Sequence, residues 1–276
     1  MSDVTPTMGP CPNPNCGSSN ANATYPDDGH SWCYSCQTYT SGDKSMQQTK
    51  VIPMSNPATS QLKSVGQVAD IPDRKIKQET ARKYNTQVMQ SGNMITHHIY
   101  QYFDKDGNHI ANKVREVQGK KFWSEGNLAG SGLFGEHIFG RAGKYITVCE
   151  GEIDAMSAYE MLGSKWPVVS IKNGAASALE NCRRSFEYLN QFENVVLCFD
   201  NDKPGKEAAL KVAELFDPNK CKIIELELKD ANEYLKTNQR KKFSDDWWNA
   251  RTFTPAGIVN LADLGTTLYD EKYCET

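Results

Sequence analysis

At 276 residues, 38% of them hydrophobic, and with a formal charge of −3 from 31 Lys+Arg against 34 Asp+Glu, the chain exceeds one ordinary domain and falls short of three. So even a balance excludes both a uniformly basic nucleic-acid coat and an acidic polyanion mimic. No apolar run approaches the roughly 20 residues that span a bilayer, and the N-terminus lacks the basic start and apolar stretch of a signal peptide, so the expectation is a soluble, cytoplasmic protein with no membrane partner.

The total conceals a gradient. Residues 1–43 hold four acids (Asp3, Asp27, Asp28, Asp43) and no Lys or Arg, residues 61–144 hold 13 basic and 8 acidic residues, and residues 145–250 hold 14 and 18. The basic middle is where charge points to a polyanionic ligand, although an ordinary solvated surface has the same composition.

Nine cysteines form two sets. Cys149, Cys182, Cys198, Cys221 and Cys274 are scattered and read as small buried hydrophobes. Cys11-x4-Cys16 and Cys33-x2-Cys36, separated by a 16-residue loop, have the spacing of two knuckles that close a tetrahedral thiolate site for zinc. Four thiolates make such a site structural. Beside it Asp28, His30 and Trp32 alternate, placing hydrogen-bonding groups and an aromatic on one face of a presumptive strand, which suits the reading of unstacked bases. His30 also has two plainer readings, a substitute zinc ligand or a surface residue. Residues 1–42 are thus expected to be a small all-β zinc ribbon, and residues 43–64, rich in Ser, Thr, Gln, Asn and Pro, a flexible linker.

Residues 65–144 read as a basic α+β subdomain. Met94 to Phe103 and His109 to Val117 are strand-like, and Asp104-Lys-Asp-Gly-Asn108 between them is turn chemistry, which predicts a hairpin. From 145 to 254 the pattern alternates: strands at Tyr145–Cys149, Pro167–Ile171, Asn194–Phe199 and Cys221–Leu228, helices at Ile153–Leu162, Ala176–Phe192 and Gly205–Phe216. Such alternation predicts a mainly parallel, doubly wound sheet, so the class is α/β. Residues 255–276 read as a linker or tail.

Acids fall where these strands end: Glu150 after the first, Asp200 and Asp202 after the third, Asp230 after the fourth. Carboxyl ends of parallel strands form the ligand crevice of such sheets. Carboxylates gathered there repel one another unless a divalent cation joins them, and hard oxygen donors favour Mg²⁺ or Mn²⁺. Ordinary loop acids and helix N-caps are the plain alternative for each one taken alone.

Glu150-Gly-Glu-Ile-Asp154, Asn173-Gly-Ala175, Asp200-Asn-Asp202-x-x-Gly205 and Lys229-Asp-Ala-Asn-Glu233 together resemble the Toprim domain. With the N-terminal cysteine module, the tether and the basic subdomain, the chain from Cys11 to about Val259 resembles the primase half of the bifunctional primase-helicases of T-seven-like podophages. The resemblance implies synthesis of short RNA primers from NTPs on single-stranded DNA, in company with a replicative helicase and a DNA polymerase. It implies Glu150, Asp200 and Asp202 as catalytic acids that also bind Mg²⁺ together with Asp230, with Glu150 either general base or ligand. It further implies Asp28 and His30 as template readers, and Lys113 and Arg115, with the weaker matches Lys120 and Lys121, as holders of triphosphate or template. The chain departs from the family in its four-residue first cysteine spacing and in having no Gly-x4-Gly-Lys-Ser/Thr loop, hence no helicase motor motif. A Toprim nuclease and a RecR-like recombination mediator are the competing functions.

Overall fold

The computed structural model describes residues 5–13, 16, 18–26, 29–35, 38–40, 62–140 and 142–255. Two compact units divide the chain, Met1–Ala58 and Thr59–Thr276. Asp28, Cys36, Cys274, most of the expected linker and nearly all of the expected tail lie outside the described residues.

The first unit is a meander of four very short antiparallel strands, β1 (Thr7–Gly9), β2 (Asn22–Thr24), β3 (Ser31–Cys33) and β4 (Tyr39–Thr40), in that spatial order. Ala23 and Cys33 are its fully buried apolar residues among those described. So little apolar burial cannot offset the ordering of some forty residues, which fits a fold held by something other than a hydrophobic core. β3 begins only at Ser31, so His30 precedes the strand, in the turn where Gly29 takes a positive φ of 74°.

The second unit opens with helix α1 (Gln78–Lys83) and a second antiparallel meander, β5 (Thr86–Ser91), β6 (Met94–Phe103), β7 (His109–Glu116) and β8 (Phe122–Gly126). The β6–β7 pair is the hairpin expected from sequence, closed by Asp104, whose carboxylate accepts from the Asp106 and Asn108 amides at 2.9 Å. The meander's outer strands were not apparent in the sequence.

A five-stranded sheet follows: β9 (Gly143–Cys149), β10 (Val168–Ser170), β11 (Phe192–Cys198), β12 (Cys221–Ile223) and β13 (Arg251–Thr252), in spatial order β10-β9-β11-β12-β13. All pairs are parallel except β12 with β13, as the strand-helix alternation required. β9, β10 and β11 are largely buried on both faces and alternate between two cores. Val196 and Cys198 join one apolar cluster; Val195 and Leu197 join the other.

On the first face pack α2 (Glu152–Met161), α6 (Ala231–Lys236) and α7 (Arg240–Trp248). On the second pack α3 (Ala178–Arg184), α4 (Phe186–Leu189) and α5 (Lys203–Ala213). The single helix expected over 176–192 is broken at Ser185, whose hydroxyl donates to Glu136 at 2.8 Å, and Phe192 starts β11. The expected fourth strand stops at Ile223.

The meander shares the first core, through Tyr84, Tyr100, Tyr102 and Phe134. Tyr84 donates to the Val168 carbonyl at 2.8 Å, and Phe134 bridges Ser170. The basic and acidic segments therefore form one body. Trp247 fastens α7 to the sheet by donating Nε1–H to Thr147 at 2.9 Å. Among the described residues no helix is long and apolar enough to cross a membrane.

Candidate active site

In the first unit the Sγ atoms of Cys11, Cys16 and Cys33 all lie within 4.8 Å of one another. Cys16 and Cys33 are 3.8 Å apart. That is far beyond a disulfide's bond of about 2.05 Å, but it is the edge of a tetrahedron whose metal–sulfur bonds are about 2.3 Å. The Asn13 amide points at Cys11 Sγ from 3.4 Å, a hydrogen bond that favours the thiolate. These three residues therefore fit a thiolate metal site. His30 stacks on Tyr25, ring centroids 4.5 Å apart and planes 11° from parallel. Trp32, on β3, is half-buried and lies opposite Ala23 and Tyr39.

In the second unit the strand order reverses between β10 and β11, on either side of β9, so the switch point lies at the carboxyl ends of β9 and β11. Glu150 and Asp200 leave the sheet there. Glu150 is held by two backbone donors, Ala175 N–H on Oε1 at 3.1 Å and Asp200 N–H on Oε2 at 3.4 Å. Gly174 makes the first possible: its φ of 71° turns the chain so that the next amide faces the carboxylate. Asp202 and Asp230 are helix N-caps, accepting from the Gly205 and Glu233 amides at 2.8 Å. At Gly205 a Cβ would collide with the Asp200 backbone, so glycine allows α5 to start directly against that strand end.

The electrostatics follow from burial. Asp200 is pushed up to about 7 by desolvation first, then by Glu150 and Asp230; Lys229 opposes and Asp202 adds to the rise. Asp154, on the first turn of α2, is held well above the usual carboxylate range by burial and by Asp230 and Asp200. Asp154 belongs to this acidic group although the sequence reading assigned it no role; its place in the Glu150-Gly-Glu-Ile-Asp154 run, on the first turn of the helix that follows the strand end, was the available signal. Asn232 was missed as well. Its amide donates to Asp154 at 3.0 Å, and its side chain joins Ser157 and the Arg74 carbonyl, each at 2.9 Å, and Arg74 Nη1 at 3.3 Å.

Among the described residues only the cysteines bring three ligand atoms within 4.8 Å. The carboxylates are spread more widely, which suits Mg²⁺, an ion that keeps several waters and takes one or two carboxylates with its remaining ligands from phosphate. Asp200 and Asp154, each raised by burial and by neighbouring acids that few bases offset, are the observation that fits a divalent cation here. Beside Asp200 a groove of about 830 Å³ runs between α5 and β12–β13.

The basic residues separate. Lys113 is mostly buried, its ammonium 2.7 Å from Glu152 Oε1 and donating to the Lys172 carbonyl at 2.5 Å. Tyr102 donates to the same Glu152 oxygen at 2.6 Å. Arg115 lies one pair along, its guanidinium 5.7 Å from the Phe122 ring centre. Lys120 and Lys121 are exposed in the β7–β8 turn, Lys120 with a φ of 52°.

A doubly wound sheet whose switch point carries these acids defines a Toprim-type protein, and residues 147–235 match the Toprim-like family model. The chain is 33% identical over 263 residues to the DNA helicase/primase of Enterobacteria phage T3, covering 92% of this chain and 45% of that protein. It is similar to the crystal structure of the primase fragment of the bacteriophage T7 primase-helicase protein, with a TM-score of 0.62 and 31% identity over 88% of this chain and 99% of that one. It also resembles the T7 primase domains seen with lagging-strand DNA polymerase, an RNA/DNA hybrid and dTTP, with a TM-score of 0.62 and 32% identity over 68% and 94% of the two chains. The chain belongs to the phage primase-helicase family and corresponds to its primase fragment, spanning less than half the length of the full-length phage T3 relative.

Proposed function

We propose that the chain is a DNA-dependent RNA primase, joining NTPs into short primers on single-stranded DNA with release of pyrophosphate. The observation that carries this reading is the pairing of Glu150 and Asp200 across the switch point, with Asp202 and Asp230 beside them. Glu150, Asp200, Asp202 and Asp230 would hold Mg²⁺ or Mn²⁺, and Glu150, Asp200 and Asp202 are its catalytic acids. When bound, such a cation lowers the pKa of the attacking 3′-hydroxyl and offsets charge on the transferring phosphoryl group. Glu150, fixed by two backbone amides, needs no reorganisation to face the reacting groups. Arg115, Lys120 and Lys121 supply positive charge for triphosphate or template. Lys113 meets Glu152 and Lys172 first, so in this reading it positions the Glu150 strand end and presents its remaining charge to the substrate.

Residues 1–42 would be a zinc-held module, Cys11, Cys16, Cys33 and Cys36 its ligands and Asp28, His30 and Trp32 its template-reading set. Residues 43–64 tether it to the polymerase body, 65–144 with 145–254, and residues 255–276 are a linker or tail. A replicative helicase and a DNA polymerase are the partners, in the host cytoplasm. The test supplies the chain with single-stranded DNA, labelled NTPs and Mg²⁺. Short RNA products support the reading; cleavage of the DNA instead, as by a Toprim nuclease, or binding without synthesis, as by a recombination mediator, contradicts it.

A further inference from the structure

Phe122 opens β8 directly opposite Arg115 and is 53% exposed. A single exposed aromatic is ordinary, but this one has company. Lys113 Nζ lies 5.2 Å from its ring centre and the Arg115 guanidinium carbon 5.7 Å, both within cation–π range. Arg115 is anchored from below: its Nε is buried without a hydrogen-bond partner among the described residues, and its side chain also hydrogen-bonds the buried Tyr100, which holds the guanidinium beside the ring. The place matters equally. Lys113 is bound to Glu152, two residues beyond Glu150, and to Lys172, which leads into the Gly174-Ala175 loop that holds Glu150. One lysine side chain thus separates the Phe122 ring from the loops of the acidic crevice.

An open aromatic face flanked by cations is the pattern by which proteins hold nucleic-acid strands and nucleotides: bases stack on the ring while the cations meet the phosphates. Trp123, next along the strand, points to the opposite face, edge-on to His97 with centroids 5.4 Å apart. Among the described residues its ring has no cationic flank at these distances, so the two adjacent aromatics differ in what they can hold.

We propose that Phe122 stacks a nucleobase at the rim of the crevice, a subsite that selects for the base as the flanking cations select for phosphate. It rests on the primase reading for its context but not for its test. The stacked base belongs either to the template strand or to an incoming nucleotide, and the two are separated by experiment.

Wild-type chain, Phe122→Ala, Phe122→Leu, Phe122→Tyr and Trp123→Ala are titrated in Mg²⁺ by fluorescence anisotropy and competition. The probes are a labelled single-stranded oligonucleotide, its abasic counterpart, ATP, and inorganic tripolyphosphate. Loss of one base–aromatic stack, about 1–3 kcal/mol, corresponds to a roughly 5- to 150-fold weakening. Phe122→Ala is expected to weaken binding by that factor to oligonucleotide or to ATP. Binding to the matching base-free probe stays within about twofold, Phe122→Tyr restores affinity, and Phe122→Leu and Trp123→Ala discriminate, the first staying weak and the second staying tight. A loss confined to the oligonucleotide assigns the template base; a loss confined to ATP assigns the incoming one. Equal effects on base-bearing and base-free probes, or full affinity in Phe122→Leu, overturn the proposal. These titrations need no catalysis, so a chain that makes no RNA still decides the stacking question. A chain that primes normally while Phe122→Ala binds every probe like wild type keeps the primase reading and loses this one.

Discussion

The cysteine unit and the acidic crevice both suit metal ions, yet they are built in opposite ways. In the first, three sulfurs already meet within 4.8 Å while the strands around them run two or three residues and bury little. In the second, two apolar clusters on the faces of a parallel sheet fix the strand ends, and the carboxylates project from that scaffold without converging on one point. A closed site holds its fold by its metal; an open site is held by its fold and leaves room for substrate. Removing an ion should therefore unfold one region and merely silence the other.

The largest effect that tests this contrast is in the crevice. Asp200→Ala is expected to lower RNA synthesis by about 10³-fold, the scale on which a preorganised charge-stabilising group contributes, with zinc content and circular dichroism unchanged. A matching loss of folded structure would mean that the acid is structural. Next comes Cys33→Ser, which should release zinc, abolish ordered structure in the first unit and cut template-dependent synthesis by about 10²-fold, leaving the thermal transition of the larger unit in place. Retained zinc in that variant would break the comparison from the other side.

The pH dependence gives an intermediate effect. Mg²⁺ binds the ionised carboxylate, and Asp200 is pushed up to about 7, so at pH 6 only about a tenth is available. Mg²⁺ affinity should fall about tenfold between pH 8 and pH 6 by titration calorimetry, a dependence that Asp200→Asn removes. The smallest effect is on stability. A carboxyl with a raised folded-state pKa binds protons more readily folded than unfolded between about 4 and 7, so without metal it costs stability increasingly over that window and fully above it. Discounted for the solvent that still reaches this half-exposed group, relief of that cost in Asp200→Asn should raise metal-free stability by ~1–2 kcal/mol at pH 8, read as a melting temperature a few degrees higher. No rise would mean that the carboxylate is already offset within the protein.

What was legible in the sequence was whatever depends on neighbours along the chain. Glu150 and Asp200 announce themselves because each follows a β-branched apolar run, and the alternation with helices fixes which end of the sheet they occupy, whereas Asp230 lies seven residues beyond the end of β12, at the N-cap of α6. The cysteine spacing works the same way. Contacts set by the tertiary fold were not legible. Asn232 joins α6 to α2 and to the Arg74 backbone over 75 and 158 residues, and although it sits in the Lys229-Asp-Ala-Asn-Glu233 motif, nothing local shows which distant groups it ties. Lys113 reads as one more base in a basic segment until the fold places Glu152 against it. Helix periodicity over 176–192 ran through Ser185 because the reason for the break, a bond to Glu136 49 residues away, is again remote.

The division of labour between the two regions is measured most directly by calorimetric scans of the full chain, with RNA synthesis assayed on the same samples after zinc and Mg²⁺ are withdrawn separately. Zinc removal should erase the transition of the first unit and leave the second. Mg²⁺ removal should leave both transitions and stop synthesis. Loss of the larger unit's transition on Mg²⁺ removal, or a first unit that melts unchanged without zinc, would contradict the account.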